Sequence, residues 1–171
     1  MMLILTGEKE CGKTTLLDEV CSGNETKVQG FLSMKNVDNG EVTGISLKIL
    51  PAGRIFPMAT TTPIITKHAT SKFYFYTNAF KLVNRHFKRI IKDIPFIFDE
   101  FGRLEMRQEG HFCLFEELIE TGQPLLVVIR KELLSDFKAA YAQDLDHEIL
   151  DLDIEERADI INRINTAILD A

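Results

Sequence analysis

Short apolar runs alternate along this chain with segments of helical periodicity, and turn residues separate the two. Met2 to Thr6 is almost wholly apolar, the pattern of a strand buried on both faces, and it ends at Gly7. A helix is predicted from Lys13 to about Cys21. Val28 to Lys35 and Glu41 to Leu50 read as strands joined through Asp38-Asn39-Gly40, a hairpin signal. A shorter strand near Arg54 to Ala59 extends this β-rich stretch, and Thr60 to Thr66 reads as loop. Asn78 to Lys92 is predicted as a helix with Phe80, Val83, Phe87 and Ile90 or Ile91 on one side, stopped by Pro95. Phe96 to Asp99 and Leu125 to Arg130 are further buried strands, with a helix from about His111 to Thr121 between them, closed by Gly122 and Pro124. His147 to Leu152 reads as one more strand. The last helix runs from about Ile154 to Leu169, with Asp153 as its N-cap and Ala158, Ile161, Ile164 and Ile168 facing inward. Buried strands alternating with helices imply an α/β fold with a mostly parallel sheet covered on both faces, carrying an antiparallel hairpin insertion at about 28–60. At 171 residues the chain reads as one domain, 1–171.

The first strand leads directly into Gly7-Glu8-Lys9-Glu10-Cys11-Gly12-Lys13-Thr14-Thr15, a G-x-x-x-x-G-K-T loop between a strand and a helix. The glycines let successive N–H groups point into one concavity, which holds nucleotide phosphates together with the positive end of the following helix. Lys13 would reach the β- and γ-phosphates, and the Thr14 hydroxyl would ligate Mg²⁺. With this loop the expected fold becomes a P-loop NTPase three-layer sandwich. Phe96-Ile97-Phe98-Asp99-Glu100 is an apolar strand ending in two carboxylates. Asp99 fits the acid that helps hold Mg²⁺, and Glu100 then stands where a carboxylate orients or deprotonates an attacking water. Read alone, two acids could merely mark a strand emerging into solvent; the loop upstream tips the reading.

Composition narrows the class. The chain is 45% hydrophobic and 27% charged, as ordinary folded proteins are, and its net charge of −6 counts against a duplex-binding protein. That charge is uneven: residues 1–131 carry 17 basic and 15 acidic side chains, residues 132–171 carry 3 and 11. Three cysteines without a C-x-x-C pair and four scattered histidines give neither a disulfide framework nor a zinc-type spacing. No apolar stretch approaches the roughly 18 residues that cross a bilayer, and the N-terminus lacks the marks of a signal peptide, so a reduced cytoplasm is expected, with no membrane partner.

The loop Gly7 to Thr15, the Asp99-Glu100-Phe101-Gly102-Arg103-Leu104-Glu105 run and the Leu125 to Arg130 strand together resemble the thermophile-type (cancer-related) nucleoside-triphosphatase family. Gly30-Phe31 opening the hairpin and Thr43-Gly44 on its return strand are similar to that family as well. The resemblance implies a P-loop protein with a nucleotide-kinase-like core that hydrolyses ATP, GTP and other nucleoside triphosphates with Mg²⁺ and little base selectivity. Gly12, Lys13, Thr14, Asp99 and Glu100 match its binding and catalytic motif. The chain departs from the family at Lys9-Glu10, where a Pro-Gly pair is common, and at Thr43, where an arginine usually precedes the glycine.

Other residues carry two readings. Arg130 either supplies positive charge to the transferring phosphoryl group or forms a surface ion pair. Arg103 and Glu105 belong to the same cleft by resemblance. Cys11, amid amide donors and near Lys13, is either redox-sensitive or simply small enough for a tight loop. Seven basic residues and no acid fall between Lys67 and Lys92 (67, 72, 81, 85, 88, 89, 92), with Lys81, Arg85, Lys88 and Lys92 on one stripe of the predicted helix. That stripe is a solvated face, or a dock for an anionic partner. Phe73 to Tyr76 reads as strand or core before it reads as a nucleic-acid stacking surface, and nucleic acid is not the expected partner. The alternatives to hydrolysis are a nucleotide or small-molecule kinase, for which Lys131 to Tyr141 could form a short lid, and a nucleotide-dependent switch. No N-K-x-D or L-S-G-G-Q occurs to favour a GTPase-type switch or an ABC-type ATPase.

Overall fold

Side chains two apart along each central strand go to the same face, and that alternation divides the interior in two. Ile4, Phe96, Phe98, Val127 and Ile129 enter one apolar cluster, while Leu3, Leu5, Ile97, Leu126 and Val128 enter the other. The computed structural model describes residues 1–169 except 23, 25, 26 and 89. Its strands are β1 (Met2–Thr6), β2 (Gln29–Asp38), β3 (Glu41–Leu50), β4 (Ile55–Thr60), β5 (Tyr74–Phe75), β6 (Phe96–Phe101), β7 (Leu125–Ile129) and β8 (His147–Asp151). Its α-helices are α1 (Lys13–Cys21), α2 (Ala79–His86), α3 (Arg103–Met106), α4 (Phe112–Glu120), α5 (Lys131–Phe137) and α6 (Arg157–Ile164). The strands form one sheet in the order β5-β4-β3-β2-β6-β7-β1-β8.

Neighbours from β2 through β8 on the β6 side run parallel, and β3, β4 and β5 continue the same sheet antiparallel to one another. The hairpin insertion is thus an extension of the sheet, with β2 the joint between its two halves. At this joint Gly30 has φ 127°, and a Cβ there would stand 2.1 Å from the carbonyl oxygen of Ile97. Only glycine allows β2 to approach β6 so closely.

Helices α2, α4 and α5 cover one face through Phe80, Val83, Phe115, Leu118 and Phe137. Helices α1 and α6 cover the other through Leu16, Leu17, Val20, Ile160 and Ile164. The layers are those expected, with four differences. Helix α2 ends at His86, so Lys88 and Lys92 lie beyond it and the four-residue basic stripe does not exist as a helix face; Arg89 lies outside the described residues. The segment after α2 is held instead by Gln29, whose side-chain amide donates to the carbonyls of Ile91 and Ile94 and accepts from the Ile91 N–H. Helix α6 starts at Arg157, behind Glu156, because Asp153 is engaged elsewhere; single π-type turns follow α5 and α6. Residues 131–142 are not a loose lid: Phe137 is fully buried against Phe101, Phe115 and Tyr141.

Candidate active site

The loop after β1 curls through positive φ at Gly7, Glu10 and Gly12 and delivers Lys13 to the first turn of α1. A Cβ on Gly7 would meet the Cys11 sulfur at 2.7 Å, so the curl depends on that glycine. Glu10 takes a left-handed conformation where L-residues are disfavoured, and its carboxylate holds Lys35 of β2 at 2.7 Å. Lys13 Nζ donates to the carbonyls of Gly7 at 2.8 Å and Glu8 at 2.7 Å, and contacts Cys11 Sγ at 3.4 Å. The ammonium is thereby fixed inside the curl, and 9% exposure leaves it one open side. Lys9 and Thr15 line the same cleft beside Gly12 and Thr14.

β7 lies between β1 and β6, so the two acids come from a strand two places away from the loop. The Thr14 hydroxyl nevertheless donates to Asp99 Oδ2 at 2.9 Å, and the Ser33 amide of β2 donates to the same oxygen at 3.0 Å. Asp99 is 1% exposed, and burial pushes its carboxyl up to about 7 against those two hydrogen bonds. Glu100, next along β6, pairs with the Arg130 guanidinium at the end of β7. Burial weighs against charge on Arg130, but Glu100 prevails and holds it above its ordinary range. Both are part-exposed toward a cleft of about 790 Å³ that the phosphate loop also lines.

These residues fit Mg²⁺. Asp99 is a buried carboxylate whose hydrogen-bond donors among the described residues are the neutral Thr14 hydroxyl and Ser33 amide, and a cation there would offset its desolvation. No cluster of three His, Cys, Asp or Glu able to cage a metal occurs among the described residues. One carboxylate, one hydroxyl and phosphate oxygens are the kind of set Mg²⁺ accepts while keeping its waters.

The other candidates separate. Arg103 makes an ion pair with Glu132 at 2.9 Å on the rim of the cleft. Glu105 is buried and spends both oxygens on backbone amides, those of Gly102 and His111, each at 3.0 Å, so it shapes the turn after β6. Burial raises its carboxyl and those amides oppose the rise. Lys81 and Arg85 are exposed on α2 and do not line the cleft.

A family model described as NTPase matches residues 2–165. The chain belongs to this NTPase family. A curated relative, the nucleoside-triphosphatase THEP1 of Methanocaldococcus jannaschii, is 26% identical over 174 residues, covering 99% of this chain and 98% of its own. The crystal structure of THEP1 from the hyperthermophile Aquifex aeolicus superposes with a TM-score of 0.72 at 19% identity, covering 96% of each chain. The solution structure of a human cancer-related nucleoside triphosphatase gives 0.67 at 18%, covering 96% of this chain and 95% of its own. The resemblance read from the motifs and the P-loop NTPase sandwich both hold.

Within this NTPase frame the structure adds a brace that the motifs did not reveal. The Glu8 amide donates to both carboxylate oxygens of Asp153, at 3.1 and 3.0 Å. Lys131 Nζ bridges Asp153 at 2.9 Å and Asp151 at 3.1 Å. Asp153 was expected to cap the last helix, yet it sits just past β8, the strand beside β1, and that adjacency is the signal that could have found it.

Proposed function

We propose that the protein hydrolyses nucleoside triphosphates, ATP and GTP among them and with little base selectivity, to the diphosphate and phosphate in a Mg²⁺-dependent reaction. The observation that carries the reading is the 2.9 Å hydrogen bond from Thr14 to Asp99, which joins the phosphate loop to the acidic strand end. Backbone amides of Gly7 to Thr15 cradle the phosphates, and Lys13 neutralises the β- and γ-oxygens. Thr14 and Asp99 are the residues that would hold Mg²⁺, which when bound neutralises charge on the same oxygens. Glu100 orients water at the γ-phosphorus and accepts its proton, while Arg130, held against Glu100, presents positive charge to the departing phosphoryl group. Cys11 and Cys113 are free thiols, no described helix is long and apolar enough to cross a membrane, and both facts suit a reducing cytoplasm. We read the exposed basic positions as solvated, with nucleotide rather than nucleic acid as the partner.

The test is phosphate release from Mg·ATP and Mg·GTP by the wild type, Lys13→Ala and Glu100→Gln. Lys13→Ala should abolish turnover. Glu100→Gln should lower kcat by on the order of 10²–10⁴ while nucleotide affinity stays within a few-fold. Stoichiometric phosphorylation of an added acceptor without phosphate release would replace hydrolysis by the kinase reading. Tight nucleotide binding with neither outcome would favour the switch.

A further inference from the structure

Of the basic positions between Lys67 and Lys92 that the structure describes, Lys72 alone lines the cleft. A short hairpin places it there. The Thr66 hydroxyl donates to the Phe75 carbonyl at 2.6 Å, the Phe75 N–H donates to the His68 carbonyl at 2.9 Å, and Ala69 bridges Tyr74. At the tip the Thr70 N–H donates to the Phe73 carbonyl at 2.9 Å, and the Phe73 N–H donates back to the Thr70 hydroxyl at 3.1 Å. Ser71 and Lys72 are the exposed residues between them. Because Tyr74 and Phe75 pair with Thr60 and Ala59 of β4, the sheet itself carries this tip.

Lys72 meets no counter-charge there. Its ammonium rests 5.8 Å from the centroid of the Phe73 ring, a contact that leaves its N–H donors unspent. Lys9 of the phosphate loop is exposed on the same cleft, and neither lysine has an ion pair among the described residues. The carboxylate that both act on is Glu10, already spent on Lys35 at 2.7 Å. The Lys35 hydrogen bond first, then the charges of Lys35, Lys9 and Lys72, hold the Glu10 carboxyl below its ordinary range. Three cations from three elements thus gather about one anion, and like charges so gathered repel until a further anion joins them.

Their flank of the loop is the reacting one. On β2 the Ser33 amide donates to Asp99, and Lys35, two residues or roughly 7 Å further along, holds Glu10. The other flank, at Glu8, is gripped by Asp153 beyond β8. A triphosphate whose β- and γ-oxygens meet Lys13 and the Thr14–Asp99 pair therefore ends where Lys9, Lys35 and Lys72 gather. We propose that Lys72, at the hairpin tip, binds the γ-phosphate across from Lys9 and is the residue that selects triphosphates over diphosphates. A diphosphate ends short of the tip and leaves Lys72 in solvent. The inference rests on the nucleotide reading above for the direction of the triphosphate.

The experiment measures the affinities of a non-hydrolysable ATP analogue and of ADP, by calorimetry on the full chain with Mg²⁺ at fixed ionic strength. The proteins are the wild type, Lys72→Gln, Lys72→Arg and Lys81→Gln. Lys72→Gln should weaken the analogue about tenfold and leave ADP within about twofold, as loss of one charge-assisted hydrogen bond to the last phosphate does. Lys72→Arg, which keeps the charge, should recover most of the loss. Lys81→Gln removes the same charge from α2, away from the cleft, and should change neither affinity. The bonds of the turn are made by Thr70 and Phe73, so substitution of exposed Lys72 leaves the hairpin intact, and an unchanged urea midpoint checks this. Equal weakening of analogue and ADP overturns the proposal, because Lys72 would then only attract nucleotides at long range. Unchanged affinity for both overturns it too, as does a Lys81→Gln that matches Lys72→Gln. A wild type that binds neither nucleotide overturns the nucleotide reading, and this inference with it.

Discussion

Arg130 and Glu100 meet across the ends of two neighbouring strands, and each removes the other's freedom to point into solvent. In the proposed reaction a guanidinium so held would supply charge without reorganising when the phosphoryl group leaves. Arg130→Ala should lower kcat roughly a hundredfold with little change in nucleotide affinity, checked by steady-state kinetics beside a direct binding measurement. An unchanged kcat would leave Arg130 a surface ion pair. His111 carries a different expectation. Burial among Phe31, Phe80 and Phe98 pushes its imidazole down to about 3, well below the ordinary 6.5. The unfolded chain takes up a proton below about pH 6.5 that the native chain refuses, so this contribution is complete above that pH and is lost as pH falls toward 3. Between pH 7 and pH 5, His111→Gln should lose about 2 kcal/mol less stability than the wild type, read by urea unfolding at both values.

At the level of elements, the phosphate loop is built by β1 and α1 but steadied by the turn after β8. Asp153→Ala should raise KM for Mg·ATP several-fold while kcat changes little, and Asp153→Asn, which keeps an acceptor for the Glu8 amide, should recover part of the loss. Equal losses in both variants would assign the effect to charge near the phosphates. The loop, the Thr14 and Asp99 positions and every strand of the parallel half were legible in the sequence, because continuous apolar runs and the glycine spacing are local signals. The end of α2 was not. Nothing in Phe87 to Lys92 breaks a helix; what wins is the long-range bonding of Gln29, and of Gln123, to the Ile91 carbonyl. The true start of α6 was hidden for the same reason, since Asp153 has the chemistry of an N-cap and is claimed by Glu8 and Lys131. Glu105 reads from sequence as one more acid beside the cleft, and only its two amide partners reveal that it shapes a turn.

For the molecule as a whole, one sheet separates two apolar clusters that share no side chain. Ile129→Val in one cluster and Ile160→Val in the other should each cost about 1 kcal/mol, and the double variant their sum within about 0.5 kcal/mol, by denaturant titration. A clear excess over the sum would mean that the sheet transmits strain between its faces. The placement of β8 has a wider consequence. β1 is translated well before β8, yet β8 is one of its two neighbours and the carboxylate that grips Glu8 lies 145 residues further along the chain. Until residues 147–153 arrive, β1 is an edge strand with open N–H and C=O groups and the loop after it lacks its brace. Nucleotide therefore favours chains that have reached β8: one clipped before it offers a weaker grip on phosphate, and the ligand stabilises preferentially copies whose synthesis has run through Asp153.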